Sequence, residues 1–338
     1  MKRLNLWFMW IAGVLVVISA GSFLAFFVAT SPVAEEPAEL AKTSLEPTVN
    51  PEAPVLTVRG RHVTVMSWNL SFGYGPRASA SHPPRPSRAA LDQRLESLAA
   101  FLKNNGADIL LLQNLDFRSD RSHRVDQFDT LMRAGNYAYG VRAVSWSRRF
   151  VPLPLKPWGQ WLGQVVAGGA ILSRYPICGH LVNEYPGRKE KDFLDSAFRH
   201  QRFSQRARIC AGDSQFFVIN SVFEASTPEE HEKESASIER FVVDSREEAP
   251  VLAVGGTLQG PTAGHHAAIR PPQHLIDIFA KGAPGLPSEL TRTYPTVNPT
   301  SRPDFLFIDD RVRLGNAAVM HLAGTMSDHY PVHAELSW

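Results

Sequence analysis

The stretch Ser301-Arg302-Pro303-Asp304-Phe305-Leu306-Phe307-Ile308, followed by Met326-Ser327-Asp328-His329-Tyr330-Pro331-Val332, decides how this chain is read. The first piece is an apolar strand opened by an acid. In the second, a polar turn delivers an acid and an imidazole into another strand, because His333, Glu335 and Ser337 alternate with Val332, Ala334, Leu336 and Trp338. Two strand ends therefore present Asp304, Asp328 and His329. A carboxylate behind an imidazole holds one tautomer, for proton transfer or for hydrogen bonding to phosphate.

Working outward, Val63, Val65 and Ser67 alternate with Thr64, Met66 and Trp68 in a strand that ends at Asn69. Arg88 to Asn105 carries Leu91, Leu95, Leu98 and Leu102 on one helical face and is closed by Gly106. The apolar run Asp108 to Gln113 follows, and this strand-helix-strand order is that of a layered α/β domain. Asp126 to Ala134 reads as a short helix, and Ser145 to Gly163, rich in Pro and Trp, as a long loop whose Trp146, Trp158 and Trp161 form a private core in the favoured reading and a lipid- or ligand-facing collar in the alternative. Val165 to Leu172, Phe216 to Phe223 and Val251 to Gly256 are further strands. Thr227-Pro228-Glu229-Glu230 starts a helix with Thr227 as N-cap and Ile238, Phe241 and Val242 facing inward. The cationic segment Arg188 to Arg208 is diluted by Glu190, Asp192 and Asp195 and reads as a solvated face, and the adjacent His265 and His266 as loop residues.

The ordered set Met66-Ser67-Trp68-Asn69, Leu111-Leu112-Gln113, Leu172-Ser173-Arg174-Tyr175-Pro176, Val218-Ile219-Asn220-Ser221, Ala253-Val254-Gly255-Gly256, Arg302-Pro303-Asp304 and Ser327-Asp328-His329 resembles the endonuclease/exonuclease/phosphatase superfamily over about residues 60 to 338. The resemblance implies an α/β fold, a four-layered sandwich of two mostly antiparallel β-sheets flanked by α-helices, and Mg²⁺-dependent hydrolysis of phosphoric esters. It implies that an Asn and a Glu at the ends of the first two core strands hold the metal; Asn69 keeps the first and Gln113 stands for the second. Asp304 would orient His329, with Asp328 beside metal and phosphate. The family's phosphate-steadying histidine corresponds to Val222, and its Gly-Asp-Phe-Asn element to Gly255-Gly256-Thr257-Leu258.

These replacements remove the side chains that make the nucleophile, since a neutral amide is a poor ligand for a hard cation and a valine neither donates nor accepts. The expectation is therefore an inactive relative, a pseudoenzyme used for binding or scaffolding, in which Asp304, Asp328 and His329 are retained family positions and Asn69, Gln113 and Asp328 are a weak or lost metal site. No cofactor is expected; Mg²⁺ or Mn²⁺ would serve in the alternative, an active divalent-metal-dependent phosphodiesterase or phosphatase with an altered site. Glu224, Asp116 and the His265/His266 pair are the candidates for filling the vacant roles.

The amino terminus adds a location. Leu6 to Ala29 contains no charged residue, long enough for a membrane helix and longer than a signal peptide's apolar region. Lys2 and Arg3 before it, against Glu35, Glu36 and Glu39 after it, put the amino terminus in the cytoplasm and the rest outside, periplasmic or extracellular. The chain divides into residues 1–30, a cytoplasmic stub and transmembrane signal anchor; 31–55, a Pro/Glu-rich tether; and 56–338, the folded domain. Expected partners are the membrane, through residues 6–29, and a phosphate-containing ligand or a protein. The net charge of +2 in 338 residues disfavours nucleic acid. The only cysteines, Cys178 and Cys210, would bridge neighbouring strands if their registers match.

Overall fold

In a computed structural model of the chain, the described residues are 2–33, 46–56, 61–76, 85–153, 161–185, 202–223, 227–262, 265–268, 271–282 and 287–338. The chain begins with α1 (Lys2–Ala29) and β1 (Thr48–Val49), then β2 (His62–Asn69), α2 (Arg88–Asn105), β3 (Ile109–Asp116), α3 (Gln127–Ala134), β4 (Tyr139–Val151) and β5 (Gly163–Ser173). Next come β6 (Ile177–Glu184), β7 (Phe203–Ala211), β8 (Ser214–Phe223), α4 (Pro228–Glu248), β9 (Val251–Thr262) and β10 (His265–Ala268). The last elements are β11 (Leu275–Asp277), α5 (Ile278–Gly282), β12 (Asp304–Asp309), β13 (Arg313–Val319) and β14 (Val332–Ser337).

One sheet runs in the order β1-β4-β5-β3-β2-β14-β13 and the other β11-β12-β9-β8-β7-β6, with β10 paired to β9. Among the described strands, β2 with β3 and β8 with β9 are parallel and the remaining pairs are antiparallel. The period-2 alternation of the strands sorts their side chains into layers. Val65, Ile109, Leu111, Val218, Leu306 and Leu336 meet between the sheets. Met66, Trp68, Leu110 and Leu112 point the other way, onto Leu91, Leu95 and Leu98 of α2 and Phe128 and Leu131 of α3. Ile219, Val254, Phe305 and Phe307 face Ile238, Phe241 and Val242 of α4. The expected two-sheet sandwich with helices on its outer faces is thus what forms.

Helix signals in the sequence act locally as read: Ser87, Asp126 and Thr227 each cap a first turn by accepting a backbone N–H. Three readings need correction. Residues 145–151 are not a loop but the end of β4, since Trp146, Ser147 and Arg148 pair with Ala167, Val166 and Val165 of β5. Trp146 does belong to a small cluster with Val151 and Val165, as the private-core reading has it, whereas Trp158 lies outside the described residues. His265 and His266 lie on β10, a hairpin partner of β9, rather than in a loop. The segment read as a tether is stitched to the domain at both described ends: the Arg149 N–H donates to the Ser31 carbonyl (2.9 Å), and Thr48 and Val49 pair with Gly140 and Tyr139. A Pro- and Glu-rich composition argues against a core segment, not against an edge strand that needs only backbone bonds.

Of the cationic stretch, Arg202, Arg206 and Arg208 are described, and all three are committed to α4. Arg202 is buried against Glu230 and Glu234, while Arg206 and Arg208 share Glu248, whose pKa those hydrogen bonds lower. They lace a helix to a sheet rather than forming the solvated face expected of them; Arg188, Lys189, Lys191 and Arg199 lie outside the described residues.

Cys178 and Cys210 form a disulfide across β6 and β7, with Cα atoms 5.9 Å apart. A register shift between Ile177 and Gly179 makes Cys178 the extra residue of a bulge and turns it toward the neighbouring strand. Closing a loop of 32 residues stabilises the fold by about 3–4 kcal/mol in the chain-entropy account. The Cys178→Ser/Cys210→Ser chain is expected to lose about that much in chemical denaturation; an unchanged midpoint would show that the bridge is dispensable. In the adjoining core, His180 is buried with Nε2 3.1 Å from Gln205 Oε1, and burial pushes its pKa down to about 4. An unfolded histidine binds its proton near pH 6.5, so stability is lost as pH falls from 6.5 towards 4. His180→Gln should flatten that part of the stability profile, measured as urea midpoints across the window.

Candidate functional site

The carboxyl ends of the two parallel strand pairs lie at one end of the sandwich, and β12 and β14, being antiparallel to their neighbours, begin there. Residues distant in sequence are thereby gathered in one place. The sheets approach closely just beneath: a Cβ on Gly255 would lie 2.8 Å from Leu111 Cδ1 and 2.9 Å from Ser67 Cβ. Only glycine allows that approach.

His329 Nδ1 lies 2.7 Å from Asp304 Oδ2, and Thr293 donates its hydroxyl to the same oxygen at 2.5 Å. Asp304 Oδ1 accepts from Thr257 Oγ1 at 3.0 Å, and Thr257 Oγ1 in turn accepts from Asn69 Nδ2 at 2.9 Å. A hydrogen-bonded chain therefore runs Asn69, Thr257, Asp304, His329, crossing from one sheet to the other and back. The imidazole is further fixed by the Tyr294 ring, 4.6 Å away between centroids, and by the Trp68 indole N–H, which donates to the His329 carbonyl at 2.8 Å. With Nδ1 protonated towards Asp304, Nε2 is left as an acceptor, 3.7 Å from Asp328 Oδ1. Asp328 is buried and takes the Ser71 hydroxyl; Ser327 donates to the Asn69 carbonyl at 2.8 Å.

The structure brings Asn69, Asp304, Asp328 and His329 together. Gln113 it does not: its amide nitrogen donates to Ser67 Oγ (3.1 Å), Asn220 Oδ1 (2.7 Å) and the Leu111 carbonyl (2.9 Å), in the interior between the sheets. The residue that β3 places against Asn69 is Asn114, whose Nδ2 donates to Asn69 Oδ1 at 3.1 Å. Asn114 has φ +56° and sits in the register shift between Leu112 and Leu115, so strand alternation breaks at that point. Counting alternation from sequence selects the neighbour instead. On β9 the alternation is regular and turns Gly255 and Thr257 inward. There Thr257, not Gly256, carries a side chain into the site; a Cβ on Gly256 would lie 1.9 Å from the Ser221 carbonyl, and Leu258 packs against the outer core with Phe223 and Phe305.

Val222 is buried with Ala143, Val182 and Phe203. Asp116 is held by Arg121 through both carboxylate oxygens (2.8–3.0 Å) and by Ser119 (2.9 Å), so it does not stand in for a missing ligand. Glu224 lies outside the described residues, as do the side chains of His265 and His266. Sequence reasoning missed Ser71, Asn114, Thr257 and Thr293; the signal available for Thr257 was its place one residue past a glycine pair at a strand end.

A divalent cation of the kind the resemblance implies prefers several anionic oxygens. Asn69 Oδ1 already accepts from the Ser71 N–H (3.0 Å) and from Asn114, and the two amides bring no charge. Among the described residues no group of three or more His, Cys, Asp and Glu side chains is arranged to hold a metal. These residues do not fit a hard cation, and no reaction step is derived through one.

The profile described as the Endonuclease/Exonuclease/phosphatase family matches residues 66–219. A comparison with curated proteins finds no match. Among solved structures, an endonuclease/exonuclease/phosphatase from Beutenbergia cavernae is 18% identical, with a TM-score of 0.55 over 82% of this chain and 72% of its own. One from Bacteroides vulgatus is 16% identical (TM-score 0.53, 82% and 98%), and so is a mannosyl-6-phosphatase from Bacteroides thetaiotaomicron (TM-score 0.53, 82% and 100%). At such identities the likeness is one of fold.

Thr257→Val would strip Asn69 Nδ2 of its acceptor and Asp304 Oδ1 of its donor. It should destabilise the chain by about 1–3 kcal/mol in urea denaturation, with Thr257→Ser recovering most of the loss. Equal stability of the two variants would remove Thr257 from this role.

Proposed function

From the match of residues 66–219 to the endonuclease/exonuclease/phosphatase family, we propose that the chain is a membrane-tethered member that has given up metal-dependent hydrolysis and serves outside the cytoplasm as a binding or scaffolding domain. The observation that carries this reading is Asn114 opposite Asn69. On the resemblance, that place requires a carboxylate, and replacing it by a carboxamide removes a full ligand charge from the cation. Val222 in an apolar cluster supports the same conclusion, because nothing at that position can hydrogen-bond a phosphate oxygen. Losing a general base typically lowers a rate by ~10²–10⁴, and losing metal activation of water lowers it further.

Location rests on two features. α1 contains one segment, Met9–Ala29, apolar and long enough to cross a membrane by length and composition. A disulfide formed by both cysteines of the chain suits an oxidising compartment, and thus a main domain on the far side of the membrane from Lys2 and Arg3. The bound partner is a phosphate-containing ligand or a protein.

The second reading, an altered but active hydrolase, is favoured by one observation: the Asp304–His329 pair is intact, with Asp328 adjacent. The two readings separate in a single set of measurements on the purified full chain. On the first, calorimetry with millimolar Mn²⁺ or Mg²⁺ gives no binding heat, hydrolysis of bis-nitrophenyl phosphate stays at background, and Asn114→Glu raises divalent-metal affinity. Metal-dependent hydrolysis that disappears in His329→Ala would overturn it and install the second.

A further inference from the structure

Where α1 meets the domain, the chain has almost no slack. Met9–Ala29, 21 residues, is about 30 Å long at ~1.5 Å per residue, the thickness of a bilayer's hydrocarbon, so Ala29 comes to its edge. Thr30 is already buried against the protein. The Ser31 carbonyl accepts from the Arg149 N–H at 2.9 Å, and the Val33 N–H donates to Ser147 Oγ at 3.1 Å. Two residues span at most about 7 Å, which is no more than the headgroup layer of one leaflet. The end of β4 is thereby held at the membrane surface.

What β4 and β5 present there has the chemistry of that layer. Between Arg148 and Val151 the register with β5 shifts, so Arg149 and Phe150 are out of the ladder, and the Arg149 N–H is available to Ser31. The Arg149 side chain is exposed. Phe150 and Trp161 are half-buried and meet edge to face, with centroids 5.4 Å apart, beside the partly buried Leu153 and Leu162. Aromatic rings flanked by arginine are what a headgroup region accommodates, the rings at the hydrocarbon edge and the guanidinium among lipid phosphates.

We propose that the β4–β5 hairpin end, with Arg149, Phe150 and Trp161, is a second membrane contact that docks on anionic lipid headgroups and fixes how the domain stands on the bilayer. The inference rests on the reading of α1 as a membrane span. It also orients the site described above. Phe72 joins the cluster of Trp146, Val151 and Val165, and it is the residue after Ser71, which bonds Asp328. One edge of that site therefore lies on the side of the docking hairpin.

The test uses the full chain with its disulfide intact, reconstituted in vesicles of phosphatidylcholine and phosphatidylglycerol. Nitroxides are placed singly at Arg149→Cys, at Glu232→Cys on the exposed face of α4, and at Val16→Cys in mid-span. Power saturation compares accessibility to oxygen with accessibility to a water-soluble nickel complex. The expected result is a several-fold higher oxygen-to-nickel ratio at 149 than at 232, falling when phosphatidylglycerol is replaced by phosphatidylcholine, with the highest ratio at 16. A low ratio at 149 with a high one at 16 overturns the docking and leaves the span standing. A low ratio at 16 overturns both.

Discussion

The hydrogen-bonded chain from Asn69 through Thr257 and Asp304 to His329 is the constraint on which this end of the molecule depends. Asn69 ends β2 and His329 lies in the turn that leads into β14 of the same sheet, whereas Thr257 and Asp304 belong to the other, so the first and last bonds of the series clamp the sandwich. Every member is buried, and buried polar groups hold their place only when satisfied. Gly255 makes the arrangement possible by letting the sheets approach within contact of Ser67 and Leu111 just below.

That constraint gives Asp304 and His329 a structural role whatever the chemistry of the site. A hydrolase of this superfamily needs oxygen lone pairs turned towards a cation. Here Asn69 Oδ1 is taken by Ser71 and Asn114, and Asp328 Oδ1 by the Ser71 hydroxyl. Asp304 and His329 remain because removing either would strand buried partners, Thr257 and Thr293 among them. Stability alone is sufficient reason for an Asp–His pair at 2.7 Å, which is why the pair by itself says little about turnover.

At the opposite extreme of order stands the amino-terminal attachment. An edge strand of two residues, Thr48–Val49, a backbone bond at Ser31 and the Val33 N–H donated to Ser147 Oγ join a composition typical of linkers to the β4 edge. From the linker's side these additions use only main-chain groups, so any non-proline residue supplies them. The edge of the first sheet is covered in the process, and the helix is tied to the domain's orientation.

Much of this was legible in the residues alone. Strand alternation, the caps Ser87, Asp126 and Thr227, and the apolar run before Ala29 each depend on neighbours within a few positions, so they determined the layers, the helices and the membrane-length segment. Asp304 and His329 were legible as a pair because one opens a strand and the other ends the turn that leads into another, and strand ends in a layered sheet converge. Tertiary structure alone decided which amide faces Asn69. A positive φ at Asn114, beside the register shift between Leu112 and Leu115, breaks the alternation of β3, and a shift of one sends a side chain to the opposite face. Periodicity carries no mark of such a bulge, since it is set by what the neighbouring strand offers across the sheet.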